Sequence, residues 1–301
     1  IGNIGYNLFD ETIIEMEEVI IELKNLISCI PDNMDRSQEL DIFNKNSILL
    51  TYPFMYNLSY RNFNNKDILI NYNKFLTKMF PILKYNIPYN LDKNKKKIRI
   101  GFFGDKLISK TLSSVFRDRS EIIKRLNPNI FEKILICNEF IKSESCDYMY
   151  GKLLEELYGS MDRIEIIPNN SIINIIKKFE KLQLDILVFA DIGMSTPSLI
   201  ISNMRLAPIQ INTWGHSITS GIENVDYYIS SKLYEVNNLH DAQNNYSEKL
   251  IAMDSLSTYY RNFYIGDGLS KTELGLVENK KYIFCCQNTF KLNKEFLHTM
   301  R

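Results

Sequence analysis

Two strand ends in this sequence carry side chains able to move protons. The apolar run from Pro208 to Trp214 stops at Gly215-His216, and Thr219, Ser220 and Gly221 follow. The run from Asp185 to Ala190 stops at Asp191-Ile192-Gly193. In open α/β sheets ligands settle outside the C-terminal ends of the strands, so a carboxylate and an imidazole on two such ends could form an acid–base site. We expect Asp191 and His216 to face one cleft with their side chains partly exposed. Simpler roles stay open for the same residues. Asp191 can cap a helix that starts near Ser195-Thr196-Pro197, and His216 can be a loop residue satisfied by backbone. Thr219, Ser220 and Gly221 can shape a turn or touch a ligand. Trp214, the one tryptophan, reads as core, and Tyr246, Glu248 and Lys249 read as structural.

Motifs of other chemistries are missing. There is no Gly-x-x-x-x-Gly-Lys-Ser/Thr and no Gly-x-Ser-x-Gly, and Gly101 and Gly104 lack the third glycine of a dinucleotide fingerprint. No Asp-x-Asp occurs, and His216, His240 and His298 show no metal-ligand spacing, so no metal is expected.

The elements that must position these residues follow from strand–helix alternation. Strands are expected at Ile98–Gly104, Phe131–Cys137 and Arg163–Ile167, at the two runs above, and at Val225–Ser230 and Lys249–Met253. Helices are expected at Leu112–Arg125, Tyr148–Leu157 and Ser171–Leu182. This alternation predicts an α/β fold with a parallel sheet and helices on both faces. Ahead of it, residues 1–92 read as a helical region. Ile13, Ile14, Val19, Ile20, Leu23, Leu26 and Ile27 recur at helical spacing, and Asp67 is placed to cap a later helix through Met79. The charged stretch Asp92–Lys97 is a connector. Residues 98–267 then form a Rossmann-like lobe. Asp267-Gly268 marks a second boundary, and residues 268–301 open another lobe with a strand at Lys281–Cys286 and a helix from about Asn293.

The whole chain narrows the classes. Of its 301 residues 45% are apolar, enough for a sizeable core. A formal net charge of zero argues against nucleic acid as a partner. Five cysteines without a Cys-x-x-Cys pair indicate neither a zinc knuckle nor a disulfide framework, so a reducing, cytoplasmic setting is expected. No apolar run is long enough for a membrane span.

Five blocks in order resemble one family. They are Leu184 to Met194, Arg205 to Gln210, Thr213 to His216 with Thr219-Ser220-Gly221, Asp226 to Ser231, and Tyr246 to Leu250. Together they resemble the catalytic region of the O-linked N-acetylglucosamine transferases, of the bacterial type linked to TPR repeats. Cys286 to Leu292 resembles the opening of that family's second lobe, and residues 48–90 resemble its helical lead-in more weakly. The resemblance implies an inverting, metal-independent enzyme of the two-lobed GT-B type. Such an enzyme moves a sugar, here N-acetylglucosamine, from a UDP-sugar to a Ser or Thr hydroxyl of a protein, or to a related glycan acceptor. Lys291 falls where the family places its diphosphate-contacting lysine, with Gln287 and Asn288 at neighbouring polar positions. Lys110 falls where the family usually carries a histidine near the transfer centre. A lysine there can hold a phosphate or an acid, but lysines are ordinarily protonated at neutral pH and make poor bases. Ser217 replaces a proline usual in bacterial relatives. The alternative is a degenerate transferase lobe that binds protein segments without catalysis. With its second lobe cut after one strand and one helix, the chain by itself is expected neither to hold a UDP-sugar tightly nor to transfer one. Self-association through that incomplete lobe is also expected.

Overall fold

The computed structural model describes residues 13–30, 56, 58–60, 63–90, 95–168, 171–235, 238–261, 268–287, 296 and 299. The chain divides into two compact units, Ile1–Tyr259 and Tyr260–Arg301.

The first unit is built on seven strands: β1 (Ile98–Phe103), β2 (Phe131–Cys137), β3 (Arg163–Ile166), β4 (Ile186–Phe189), β5 (Ile209–Thr213), β6 (Tyr227–Ser231) and β7 (Lys249–Met253). They pair in the order β3-β2-β1-β4-β5-β6-β7, and every neighbouring pair is parallel. Among the described residues the helices α1 (Ile13–Cys29) and α2 (Lys66–Met79) precede the sheet. Those between strands are α3 (Ser114–Arg125), α4 (Tyr148–Gly159), α5 (Ile172–Leu182), α6 (Thr196–Ser202) and α7 (Leu239–Gln243). The expected α/β, Rossmann-like arrangement is the one found.

Strand residues alternate between two faces, as the pleat requires. Phe103, Ile134 and Ile136 join one apolar cluster with Ile176 and Phe179 of α5 and Leu199 of α6. Phe102, Leu135 and Cys137 are equally buried outside that cluster. There Phe116 of α3 packs edge-on against Tyr150 of α4 at 5.2 Å. The helical region shares the first cluster through Leu58, Leu69, Phe75 and Phe80. Polar bonds fix it to the sheet's loops. Asn73 of α2 donates to the Ser220 carbonyl at 3.0 Å, and Asn203 donates to Asn73 at 3.1 Å.

Two expectations change. The N-cap of α2 is Asn65, and Asp67 lies in the first turn, where a carboxylate favours the positive end of the helix dipole. Residues 281–286 form no strand. They are exposed, Ile283 by 83% and Phe284 by 67%. A strand gains its hydrogen bonds from a neighbour, and none of the described residues pairs with this stretch. The helix expected from about Asn293 lies outside the described residues except for Phe296 and Thr299, which are helical.

Candidate functional site

The sheet order reverses between β1 and β4. From β1 the chain adds strands outward on one side, and from β4 on the other. Such a switch point leaves a crevice at the C-terminal strand ends, and ligands of open α/β sheets bind there. Gly104, Asp105 and Lys106 follow β1 at this place, and Ala190 and Asp191 follow β4.

Asp191 bridges the crevice. Its side chain is fully buried. One carboxylate oxygen accepts from the Lys106 backbone N–H at 2.5 Å, and the other accepts from the Ser198 hydroxyl of α6. Burial pushes its pKa up to about 6; the nearby Asp105 adds to the rise, and the two hydrogen bonds oppose it. The cap of α6 is Ser195, whose hydroxyl accepts from Ser198 N at 3.4 Å. Asp191 therefore ties β1 to α6 and is not the helix cap. Asp105 is itself held by Asn138 at 2.9 Å and pairs with the Lys106 ammonium at 3.2 Å.

His216 lies one strand further on, 5% exposed. Its ring stacks on Tyr56 with centroids 5.7 Å apart. Burial pulls its pKa down to about 4, against an opposing hydrogen bond with the Tyr56 backbone. Among the described residues its Nε2 has no hydrogen-bond partner. The imidazole is thus neutral at physiological pH. Two glycines let the loops after β4 and β5 interlock. A Cβ on Gly215 would overlap the Ala190 carbonyl oxygen, and Gly193, at φ 90°, lies against Nδ1 of His216. The structure thus places Asp191 and His216 in the loops after two adjacent strands, β4 and β5. It does not leave them partly exposed. Position in a strand forecasts the strand end, but Tyr56 and α6 are what cover the two side chains.

Thr219, Ser220 and Gly221 are buried around a carboxylate. Glu248, 1% exposed, accepts from the Thr219 hydroxyl at 2.5 Å, from the Ser220 hydroxyl at 2.5 Å and from Ser220 N at 2.9 Å. A diphosphate would meet a negative group and donors already engaged, so these three residues fix the loop and do not fit a donor nucleotide. Trp214 is half-buried and stacks on Tyr234 at 4.5 Å, closer to a packing role than to a free platform.

Lys110 is exposed in the loop after β1. In the second unit Gln287 presents an exposed carboxamide, while Asn288 and Lys291 lie outside the described residues. Among the described residues no three His, Cys, Asp or Glu side chains come together to hold a metal ion. Nor is any helix among them long and apolar enough to cross a membrane. Sequence reasoning missed Lys106, Ser198 and Tyr56, because a backbone donor, a hydroxyl inside a short helix and a ring from far upstream leave no local motif.

Neither a family model nor a curated protein sequence matches the chain. Among solved structures, an O-GlcNAc transferase from Thermobaculum terrenum, the K341M mutant, superposes with a TM-score of 0.55 at 16% identity. The match covers 80% of this chain and 42% of that one. At this identity the likeness is one of fold alone.

Proposed function

We propose that the chain is the sheet-bearing lobe of a glycosyltransferase that moves N-acetylglucosamine from a UDP-sugar to a Ser or Thr hydroxyl of a protein, with inversion and without a metal. The observation that carries this reading is the likeness of fold to an O-GlcNAc transferase. The five sequence blocks run through the strand ends of the same lobe and support it. A bound donor would supply the activated sugar and the leaving diphosphate. Lys291, with Gln287 and Asn288 beside it, is the group to hold that diphosphate by charge-assisted hydrogen bonds. Asp191 sets the shape of the crevice by holding the β1 end against α6. His216, neutral and covered by Tyr56, acts as a packed support in this conformation, and Lys110 is an exposed cation in the loop after β1. A second reading, a transferase-like lobe that binds protein segments without transfer, is favoured by the burial of both Asp191 and His216. Release of UDP from UDP-N-acetylglucosamine by the gene's full product, measured with and without acceptor protein, separates the two. Acceptor-dependent release supports transfer, and binding of acceptor without release supports the second reading.

A further inference from the structure

Beside the loop that follows β5 lies a pocket of about 380 Å³. Neither Asp191, His216 nor Lys110 lines it. Its wall combines the loop residues Ser217 and Ile218 with Phe63 and Asn65 from the lead-in to α2, and with Asn245 and Tyr246 from the segment before β7. We propose that this pocket binds a neutral saccharide through one pyranose ring.

The polar groups point to a hydroxyl-rich ligand. Asn65 is 6% exposed and donates its amide to the Leu58 carbonyl at 3.3 Å. Its carboxamide oxygen is buried as well, so Asn65 braces the wall and the ligand contacts fall to the rim groups. Asn64 donates to the side-chain oxygen of Asn245 at 3.0 Å, which fixes Asn245 at the rim with its own amide N–H groups as donors. The Ser217 side chain is exposed and supplies a hydroxyl that both donates and accepts.

The apolar groups and the charge narrow the class. Phe63 and Ile218, both half-buried, offer carbon surface to the C–H face of a sugar. No Asp, Glu, Lys, Arg or His lines the pocket. An ionised ligand would lose hydration there without a counter-charge, so a neutral one is favoured. The volume lies in the range of small-ligand clefts, roughly 300–1,000 Å³, and suits a ring better than an extended peptide. Binding here needs neither a nucleotide donor nor an acid–base group, so it holds whether or not the chain takes part in transfer.

Saturation-transfer NMR on the full chain, without nucleotide, tests the site with three probes: N-acetylglucosamine, cationic glucosamine and anionic glucuronate. The expected result is transfer to the ring C–H protons of N-acetylglucosamine and about tenfold weaker binding of either charged sugar. Ser217→Trp fills the mouth from an exposed position and should weaken N-acetylglucosamine about tenfold or more. Asn245→Leu, which removes the rim amide, should weaken it by about as much, the worth of one or two hydrogen bonds. Circular dichroism and a melting curve confirm that each variant is folded, and Asn245→Leu decides if Ser217→Trp is not. The proposal is overturned if folded protein gives no signal with N-acetylglucosamine, if all three sugars bind alike, or if the folded variants keep the signal. A transfer signal from an unglycosylated peptide that both variants abolish, with none from any sugar, also overturns it.

Discussion

Asp191→Asn and His216→Gln should tilt the acid stability of the protein in opposite directions. Burial raises the Asp191 carboxyl from 3.8 to about 6. Between those values the folded state keeps a proton that the unfolded chain has lost, so stability falls as pH rises through the window, by about 3 kcal/mol in all. Burial lowers His216 from 6.5 to about 4. Here the unfolded chain takes a proton that the folded state refuses, so stability falls as pH drops from 6.5 to 4, again by about 3 kcal/mol. Each group alone gives a slope near 1.4 kcal/mol per pH unit, and in the natural protein the two slopes oppose each other between pH 4 and 6. Removing Asp191 leaves the histidine slope, so Asp191→Asn should lose about 3 kcal/mol between pH 6.5 and 4 relative to the parent. Removing His216 leaves the carboxyl slope, so His216→Gln should gain about 3 kcal/mol between pH 6 and 4 on the same scale. Urea unfolding at half-unit steps from pH 4 to 7, followed by the fluorescence of Trp214, reads both. All other titrating groups are common to the two variants, so their difference is the observable. If the two variants run parallel to each other with pH, the burial argument for this pair is refuted.

Further outcomes follow from the same contacts. Glu248→Ala should destabilise the first unit by about 3–6 kcal/mol, because it strands three buried donors on Thr219 and Ser220, and Glu248→Gln by about half as much. A urea midpoint within error of the parent for Glu248→Ala would remove the carboxylate from the loop's support. Lys110→Ala in the gene's full product should lower transfer while leaving the melting temperature within about 1 °C, since the side chain is exposed. Unchanged turnover would take Lys110 out of the site. Calorimetry of UDP against residues 1–301 should show no binding tighter than millimolar. The donors of Thr219 and Ser220 are already engaged by Glu248, and millimolar affinity needs about 4 kcal/mol. A micromolar dissociation constant would place the nucleotide site in the parallel-sheet unit.

Much of the first unit was legible because its strands are apolar runs cut off by turn residues. β2 and β7 fall on the expected residues, and β1, β3, β4, β5 and β6 differ only at their ends. The cap of α2 was misplaced by two residues because Asn65 and Asp67 are both plausible starts and the side-chain test fails there: Asn65 makes no capping bond. The strand expected at 281–286 had the right composition. Composition cannot supply the neighbouring strand that would hold it. In the site, strand-end chemistry located Asp191 and His216 but not their burial. That burial depends on Tyr56 from far upstream and on Ser198 from a helix whose own sequence looks ordinary. Glu248 was read as structural on sequence alone. Its contacts with Thr219 and Ser220 bear this out and draw those two residues away from a ligand role.

Sugar transfer is measured most directly on the acceptor. The gene's full product is incubated with UDP-N-acetylglucosamine, acceptor protein and EDTA, and the acceptor is mapped by peptide mass spectrometry. The transferase reading predicts N-acetylhexosamine on Ser or Thr side chains at a level that EDTA does not change. An unmodified acceptor from folded, acceptor-binding protein, or modification abolished by EDTA, would contradict it.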